Sequence, residues 1–214
     1  MAGIDGRGPG EKGGRVLSGD VVSRKAELRR RLRTSLQAMS DAERAASSRL
    51  ICERLIGEPL WRDARSVLLF MPTRLEPDVT PLLDNALREG RRVALPRYRA
   101  ADDAYEACWV ERPETDLAPG LYGIREPGKN CAAVAGNALD LVLAPGIGFS
   151  PLGGRLGRGK GYYDQLLASV PGVTCGVAFD CQVTFDVPVE SHDVVLNCIL
   201  TPTRWLKLTS PGRS

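Results

Sequence analysis

The hydrophobic positions of the chain recur first at a helical spacing and later in short continuous runs. From about Ser18 the apolar residues fall on one face of a predicted helix, namely Val21, Val22, Leu28, Leu32 and Leu36. The segment Ser40 to Glu43 has the form of a capping box, which predicts a second helix that ends near Ile56. Residues 1–17 are glycine-rich and charged, so we expect a disordered tail there and one folded domain over 18–214.

The apolar runs after residue 65 are continuous, as in strands that are buried on both faces of a sheet. The predicted strands are 66–70, 92–95 (ended by Pro96), 105–110, 139–144, 173–179 and 194–200. A helix is predicted between the first two strands, with Thr80 as its N-cap, Pro81 as its first residue and Gly90 as its C-terminal end. A later helix is predicted over 162–170. Residues 111–139 are rich in Pro and Gly, which predicts a long surface excursion.

Strands that alternate with helices predict βαβ units and a mainly parallel sheet. The expected fold class is therefore α/β, as a single domain of three layers. The 214 residues are enough to give such a domain a substantial core. In sheets of this kind the ligand site lies at the carboxyl ends of the strands.

Composition and charge exclude several classes of protein. The net charge of +3 is too small to argue for a nucleic-acid partner, and no apolar run is long enough to span a bilayer. The N-terminus lacks the apolar stretch of a secretory signal, so we expect a cytoplasmic protein. His192 is the only histidine, which excludes a three-histidine zinc site. The six cysteines contain no Cys-x-x-Cys pair and are interpreted as buried, inert thiols.

The segment 155–164 concentrates the most chemistry, because its first seven residues alternate three glycines with the cations Arg155, Arg158 and Lys160. Glycines let backbone amides approach an anion, and a helix that follows adds a positive field. The segment does not match a P-loop, since Gly161 stands where Ser or Thr should bind magnesium. The upstream segment Pro-Gly-Ile-Gly (145–148) does not match a dinucleotide motif, since Pro151 stands in place of the third glycine. The pattern alone leaves phosphate binding and an ordinary cationic turn open.

Three acids and two cations are further candidates. Asp164 fits either a favourable interaction with the helix dipole or a magnesium ligand. Asp193 fits either a turn residue or a second carboxylate, and Glu76 fits either a solvated loop acid or a ligand. Lys25 and Arg29 share one face of the first helix, where solvation is the default expectation.

Three segments together resemble the 5-formyltetrahydrofolate cyclo-ligase (methenyltetrahydrofolate synthetase) family. They are Leu-Val-Leu-Ala-Pro-Gly-Ile-Gly-Phe (141–149), Gly-Arg-Leu-Gly-Arg-Gly-Lys-Gly-Tyr-Tyr-Asp (154–164) and Pro-Val-Glu-Ser-His-Asp (188–193). Supporting matches are Lys-Ala-Glu-Leu-Arg (25–29), Glu76, Val-Ala-Leu-Pro-Arg (93–97), Gly-Ile-Arg-Glu-Pro (123–127), and Phe179 with Gln182. The matches follow the family's order, and 154–164 is highly specific. The chain departs from the family at Ser150, Gln165 and Asp180, where Asp, Arg and Glu are usual, and Ser150 removes a carboxylate close to the basic loop.

The resemblance implies a ligase that forms a cyclic C–N bond, converting 5-formyltetrahydrofolate to 5,10-methenyltetrahydrofolate with ATP and Mg²⁺ and releasing ADP and phosphate. It also implies a fold like that of ribose-5-phosphate isomerases and CoA transferases. We expect a monomer with no nucleic-acid or membrane partner. For a polyglutamated folate the candidate cations are Arg91, Arg92, Arg97 and Arg99, although ordinary solubility explains them equally well.

The resemblance also implies roles for individual residues. The implied ATP-binding residues are Lys25, Ala26, Glu27, Leu28, Arg29, Arg155, Leu156, Gly157, Arg158, Gly159, Lys160, Gly161, Tyr162 and Tyr163. The implied folate-binding residues are Glu76, Arg158, Gly159, Lys160, Gly161 and Tyr162. Asp164 and Asp193 are the implied magnesium ligands, and our hypothesis assigns Arg158 and Lys160 to the transferring phosphoryl group as catalytic residues.

Two other hypotheses stay open. One is a family paralogue that binds ATP but has lost or redirected folate turnover. The other is an RNA-binding module built on the basic residues 24–33, a segment that lacks the interleaved aromatic residues on which RNA bases stack.

Overall fold

The computed structural model describes residues 18–190 and 193–208, so the predicted tail over 1–17 and His192 lie outside the described residues. The helices are α1 (Ser18–Ala38), α2 (Asp41–Gly57), α3 (Pro59–Asp63), α4 (Thr80–Arg88), α5 (Pro113–Asp116) and α6 (Tyr162–Ala168). The strands are β1 (Ser66–Leu68), β2 (Arg92–Arg99), β3 (Ala104–Val110), β4 (Leu117–Pro119), β5 (Arg125–Pro127), β6 (Ala133–Val134), β7 (Leu141–Ala144), β8 (Gly148–Phe149), β9 (Arg155–Leu156), β10 (Val173–Val177), β11 (Cys198–Leu200) and β12 (Trp205–Lys207).

Eight strands form one sheet in the order β12-β11-β10-β7-β1-β2-β3-β6. The five strands from β11 to β2 are parallel, and β12, β3 and β6 extend the sheet as antiparallel edges. β1, α4 and β2 form the predicted βαβ unit, in which Val67 pairs with Val93. The predicted α/β class with a mainly parallel sheet is confirmed.

Helices cover both faces of this sheet. Successive side chains of a strand point to opposite faces, and in the central strands the side chains on both faces are buried. One core cluster joins the strands to α2, α3 and α4 and includes Val67, Leu141, Leu55, Trp61 and Leu82. The cluster on the opposite face includes Leu68, Val142, Phe149, Leu166 and Leu167, the last two from α6. The α2 helix begins with the predicted capping box, since Ser40 and Glu43 exchange hydrogen bonds.

The first helix, α1, buries only part of its predicted apolar face. Leu28 and Leu32 pack with Leu156 of β9, whereas Val22 is 65% exposed, because the surface that α1 covers begins only at Leu28. Close packing also depends on Gly148, where a Cβ atom would lie 2.5 Å from Leu32 Cδ1. The helix is therefore docked directly on the strands that lead into the basic loop.

Several predicted boundaries are wrong. The strand 92–95 does not end at Pro96 but continues to Arg99, since β3 pairs with it along its whole length. Pro96 is tolerated because β1 pairs with β2 only as far as Ala94, so the missing N–H costs no bond to β1. Thr80 is the first helical residue of α4 and not its cap.

The remaining boundary corrections concern loops. The excursion over 111–139 contains α5, β4, β5 and β6, and β6 joins the main sheet beside β3. The loop over 145–154 contains β8, which pairs with β9 as a hairpin. The strands predicted over 66–70, 139–144, 173–179 and 194–200 and the helix over 162–170 are all shorter, and β12 was not predicted. Within the described ranges no helix combines the length and the apolar character needed to cross a membrane.

Phe149 is the buried side chain that holds the hairpin to the sheet. Its ring leaves no room for a Cβ atom at Gly146 or Gly176, which would approach it to 2.8 and 2.7 Å. We expect Phe149→Ala to lower the free energy of unfolding by about 3–5 kcal/mol in urea titration, because the cavity it leaves is enclosed on all sides. The control Phe185→Ala removes a ring that is 74% exposed and should change the free energy of unfolding by less than about 0.5 kcal/mol. Equal effects of the two substitutions would contradict this placement.

Candidate active site

A cavity of about 380 Å³ opens at the carboxyl ends of β1, β2 and β7. The segments that follow β1 and β7 contribute Phe70, Met71, Thr73, Glu76, Pro145 and Gly146 to its wall, and β2 itself contributes Pro96. The chain runs from β1 to β2 on one side, while β7 pairs with β1 on the other. This point, at which the strand order reverses, is where open α/β sheets bind ligands. The cavity therefore lies where the sequence predicts the ligand site, at the carboxyl ends of the strands.

The basic loop forms a second wall of the same cavity. It contributes Arg155, Gly157, Arg158, Lys160, Gly161, Tyr162, Tyr163 and Asp164. Gly159 and Gly161 have φ angles of +108° and +71°, in the left-handed region that favours glycine over residues with a Cβ atom. Gly161 directly precedes α6. These two glycines let the loop turn sharply while it presents its cations to the cavity.

A buried ion pair closes the two ends of the basic loop. Arg155 is buried, and its Nη2 donates to Asp164 Oδ1 at 2.6 Å. Its Nη1 donates to the carbonyl oxygen of Pro145 at 3.2 Å, and its guanidinium lies 5.7 Å from the centre of the Tyr163 ring. Asp164 is only partly buried, with 29% of its side chain exposed to the cavity side. Arg155 therefore acts first as a clamp that fixes the loop between β7, β9 and α6.

A second ion pair connects the basic loop to the segment after β1. Glu76 is buried, and its Oε2 accepts hydrogen bonds from Thr73 N at 2.9 Å and Thr73 Oγ1 at 3.0 Å. Its Oε1 accepts from Arg158 Nη2 at 2.7 Å. The acid implied to bind folate and the arginine assigned to the phosphoryl group are thus in direct contact. Thr73 was missed by sequence reasoning, since nothing in its neighbourhood distinguishes it from an ordinary loop residue.

Two cations of α1, Arg29 and Lys25, contact other parts of the domain, so the expectation of a solvated face is wrong for them. Arg29 Nε donates to the carbonyl oxygen of Gly157 at 2.9 Å, and burial together with Arg33 lowers the pKa of Arg29. Lys25 Nζ contacts Glu190 Oε2 at 2.7 Å and Asp193 Oδ2 at 3.0 Å. Burial alone lowers the pKa of Lys25, but the hydrogen bonds and charges of the two acids outweigh it, and the pKa is raised.

The two acids implied to bind magnesium contact different cations. Asp193 is held by Lys25 and is not part of the cavity wall, whereas Asp164 is. No cluster of three or more His, Cys, Asp or Glu side chains suited to a metal occurs within 18–190 and 193–208. A magnesium ion carried by nucleotide phosphates needs only one or two carboxylates. Asp164 fits that need, because its Oδ2 has no partner among the residues that the structure describes. Both metal roles stay predictions.

Ser150 lies in the turn of the β8–β9 hairpin, away from the cavity wall. Its Oγ accepts a hydrogen bond from Leu152 N at 3.1 Å, and its backbone bonds to Gly153 and Gly154. An aspartate can make the same local bond to a backbone amide. Ser150 therefore lies next to Phe149, the partner of Arg155 in the hairpin, but not on the cavity wall, and the effect of the missing carboxylate stays a prediction.

Sequence reasoning missed a group of tyrosines beside the basic loop. The rings of Tyr98, Tyr105 and Tyr162 lie 5.2–6.1 Å apart, centre to centre. Asp103 accepts from the hydroxyls of Tyr162 at 2.6 Å and Tyr98 at 2.7 Å, and these bonds lower its pKa. Glu126 accepts from Tyr98 N at 2.9 Å. The group could have been found only by predicting the β2–β3 hairpin, which places Tyr98 opposite Tyr105.

Comparisons with known proteins agree with this arrangement. The model of the 5-formyltetrahydrofolate cyclo-ligase family matches residues 21–202, which include every one of the elements described above except β12 and the start of α1. The chain belongs to the 5-formyltetrahydrofolate cyclo-ligase family. The predicted family is thus confirmed, and with it the expectation of an enzyme.

Individual members of the cyclo-ligase family match over most of the chain. A 5-formyltetrahydrofolate cyclo-ligase of Mycolicibacterium smegmatis is 32% identical, and one of Mus musculus is 29% identical; each match covers 84% of this chain and 94% of the relative. The solved 5,10-methenyltetrahydrofolate synthetase of Aquifex aeolicus superposes with a TM-score of 0.78 at 32% identity, covering 89% of this chain and 95% of that one. The similarity therefore extends over the whole described domain.

The Arg155–Asp164 clamp makes a testable contribution to stability in this family member. We expect Asp164→Ala to lower the free energy of unfolding by about 2 kcal/mol in urea titration, because the buried guanidinium of Arg155 loses its charged acceptor. Gln165→Ala, at the next and exposed position of α6, is the control and should be close to neutral. If both variants unfold at the same urea concentration, Arg155 is held by other contacts.

Proposed function

We propose that the protein converts 5-formyltetrahydrofolate to 5,10-methenyltetrahydrofolate, with ATP and Mg²⁺, and releases ADP and phosphate. The contact between Arg158 and Glu76 carries this proposal, because it joins the basic loop to the implied folate site inside one cavity. Relatives named 5-formyltetrahydrofolate cyclo-ligase, together with the family match, support the same reaction.

The reaction needs a better leaving group than a formamide oxygen. The formyl oxygen attacks the γ-phosphorus of ATP, the bond from that phosphorus to the β-γ bridging oxygen breaks, and ADP leaves. The nitrogen lone pair at N5 then forms an iminium phosphate. N10 attacks the activated carbon, its proton is lost to solvent, and the C–O bond breaks as phosphate departs with the electron pair. The protein's main tasks are to hold two substrates in line and to neutralise phosphoryl charge.

The described side chains suit those tasks in different ways. Lys160 is exposed on the cavity wall and makes no salt bridge or hydrogen bond with a described residue, although its charge acts on Asp103, so its ammonium is available to phosphate oxygens. Arg158 offers further donors beyond the one bonded to Glu76. Arg29 supports the loop from α1, and Lys25 on the same helix holds Glu190 and Asp193. When bound, Mg²⁺ would neutralise phosphate charge next to Asp164, the carboxylate best placed to hold it.

The alternatives differ in how well they suit the observed contacts. An RNA-binding module built on 24–33 is disfavoured, because Lys25 and Arg29 are engaged inside the protein and Arg31 pairs with Asp186. A paralogue that binds ATP without folate turnover retains the same basic loop, so activity must decide. A cytoplasmic location, a monomeric state and the polyglutamate form of the substrate stay predictions.

Lys160 provides the direct test. We expect Lys160→Ala to lower kcat by about 10²- to 10³-fold, because it removes a charge placed at the developing phosphoryl negative charge. The assay follows the absorbance of the methenyl product with ATP, Mg²⁺ and 5-formyltetrahydrofolate, and again without ATP. Lys129→Ala is the matched control, since Lys129 is exposed and is not part of the cavity wall.

Three outcomes separate the hypotheses. Near-wild-type turnover by a folded Lys160→Ala variant would remove Lys160 from the catalytic residues. Product formation by the wild-type protein without ATP would contradict the proposed reaction. ATP binding with no product from the wild-type protein would favour the paralogue.

A further inference from the structure

The four arginines that the sequence offers for a polyglutamate tail are all engaged elsewhere. Arg91 pairs with Glu89 and lies 5.3 Å from the Trp61 ring centre, and Arg92 stacks on Trp109 at 3.8 Å. Arg97 is bound by Glu106 at 2.8 Å and by two carbonyl oxygens, and Arg99 pairs with Asp102. None of the four belongs to the wall of the main cavity. Their contacts explain them as parts of the β2–β3 surface.

A different arginine lies on the wall of the main cavity. Arg125 is the first residue of β5, is exposed, and borders the cavity beside Ile124 and Glu126. Its Nη2 donates to the carbonyl oxygen of Pro113 at 2.8 Å, which anchors one corner of the guanidinium. Within the described part of the chain, Nη1 and Nε have no acceptor. Because Nη2 carries two hydrogens, the one that Pro113 leaves free forms a pair of parallel donors with either Nε or Nη1, which suits a carboxylate.

The charges on the cavity wall point to two separate anion sites. Each acid of the wall has its own donors: Glu76 has Thr73 and Arg158, Glu126 has Tyr98 N, and Asp164 has Arg155. Two cations of the wall make no salt bridge with a described residue, namely Lys160 in the basic loop and Arg125 on the β4–β5 ribbon, although the charge of Lys160 does act on Asp103.

The two cations lie on different elements, and the two substrates of the proposed reaction offer different anions. Lys160 belongs to the glycine-rich loop suited to phosphate. The other substrate of that reaction carries carboxylates only on its glutamyl tail. The cavity of about 380 Å³ is partly open, and its wall is exposed at Arg125, where the tail of a folate whose ring system lies in the cavity can reach the guanidinium.

We propose that Arg125 binds a carboxylate of the glutamyl tail of the folate substrate and so contributes to substrate specificity. This inference rests on the proposed function. It assigns Arg125 to substrate binding and gives it no part in phosphoryl transfer. Because the contact is made equally in the ground state and the transition state, its loss raises KM and leaves kcat unchanged.

The experiment pairs a shortened side chain with a shortened substrate. Arg125→Ala, Arg125→Lys and the wild-type protein are compared on 5-formyltetrahydrofolate and on the primary amide of 5-formyltetrahydropteroic acid, in which a neutral carboxamide replaces the glutamate. KM and kcat come from the methenyl absorbance assay, and the Kd of each compound comes from calorimetry without ATP. Lys129→Ala is the control, because it removes one exposed positive charge from the same segment but away from the cavity wall.

For Arg125→Ala we expect KM and Kd for 5-formyltetrahydrofolate to rise about five- to tenfold, with kcat within twofold of wild type. The same variant should bind the amide as the wild-type protein does, and Arg125→Lys should recover part of the lost affinity for 5-formyltetrahydrofolate. Lys129→Ala should change neither KM nor Kd for either compound. Loss of the bond to Pro113 alone would weaken the binding of both compounds equally, so the difference between the two compounds isolates the carboxylate contact.

The outcomes that overturn this inference differ from those that overturn the proposed function. Equal effects of Arg125→Ala on both compounds, or no effect on either, exclude the carboxylate contact while leaving turnover intact. Binding of 5-formyltetrahydrofolate without turnover by the wild-type protein contradicts the proposed reaction, and the Kd comparison still decides the role of Arg125. If the wild-type protein binds neither compound, both proposals are wrong.

Discussion

The buried Arg155–Asp164 pair is the interaction on which the site depends. Burying a guanidinium is unfavourable unless its charge and donors are satisfied, and here Asp164 and the Pro145 carbonyl oxygen meet part of that need. The pair joins the end of β7, the strand β9 and the first turn of α6. Because both ends of the basic loop are fixed, Arg158 and Lys160 between them face one cavity. The clamp is structural, yet the anion-binding geometry follows from it.

Support from α1 comes from far along the chain. Arg29 bonds to Gly157 across 128 positions, and Lys25 reaches Glu190 across 165. Leu28 and Leu32 on the same helix pack with Leu156, so the apolar and polar contacts of α1 converge on the loop. The helix α1, which the sequence alone predicts to be a solvated basic helix, is therefore part of the structure that supports the site.

Local patterns predict the parts of this protein that depend on neighbouring residues. Continuous apolar runs predicted the parallel strands, and Ser40 with Glu43 predicted the start of α2. The β2–β3 hairpin was not predicted, because Pro96 was interpreted as the end of a strand. Whether a proline ends a strand depends on where the neighbouring strand stops. Without the hairpin, the tyrosine group could not be predicted either. The pairing of Arg158 with Glu76 spans 82 positions and depends on the topology of β1 and β7.

Charged residues that look alike in the sequence divide into two sets once the chain is folded. Cations in a salt bridge with an acid, such as Arg155 and Arg97, hold elements together. Cations on the cavity wall that make no salt bridge with a described residue, such as Lys160 and Arg125, keep their charge for a ligand. The sequence cannot make this division, because 29 cations and 26 acids permit many pairings, and the fold selects among them. For this family, the unpaired cations of the wall are therefore better guides to ligand contacts than the total positive charge.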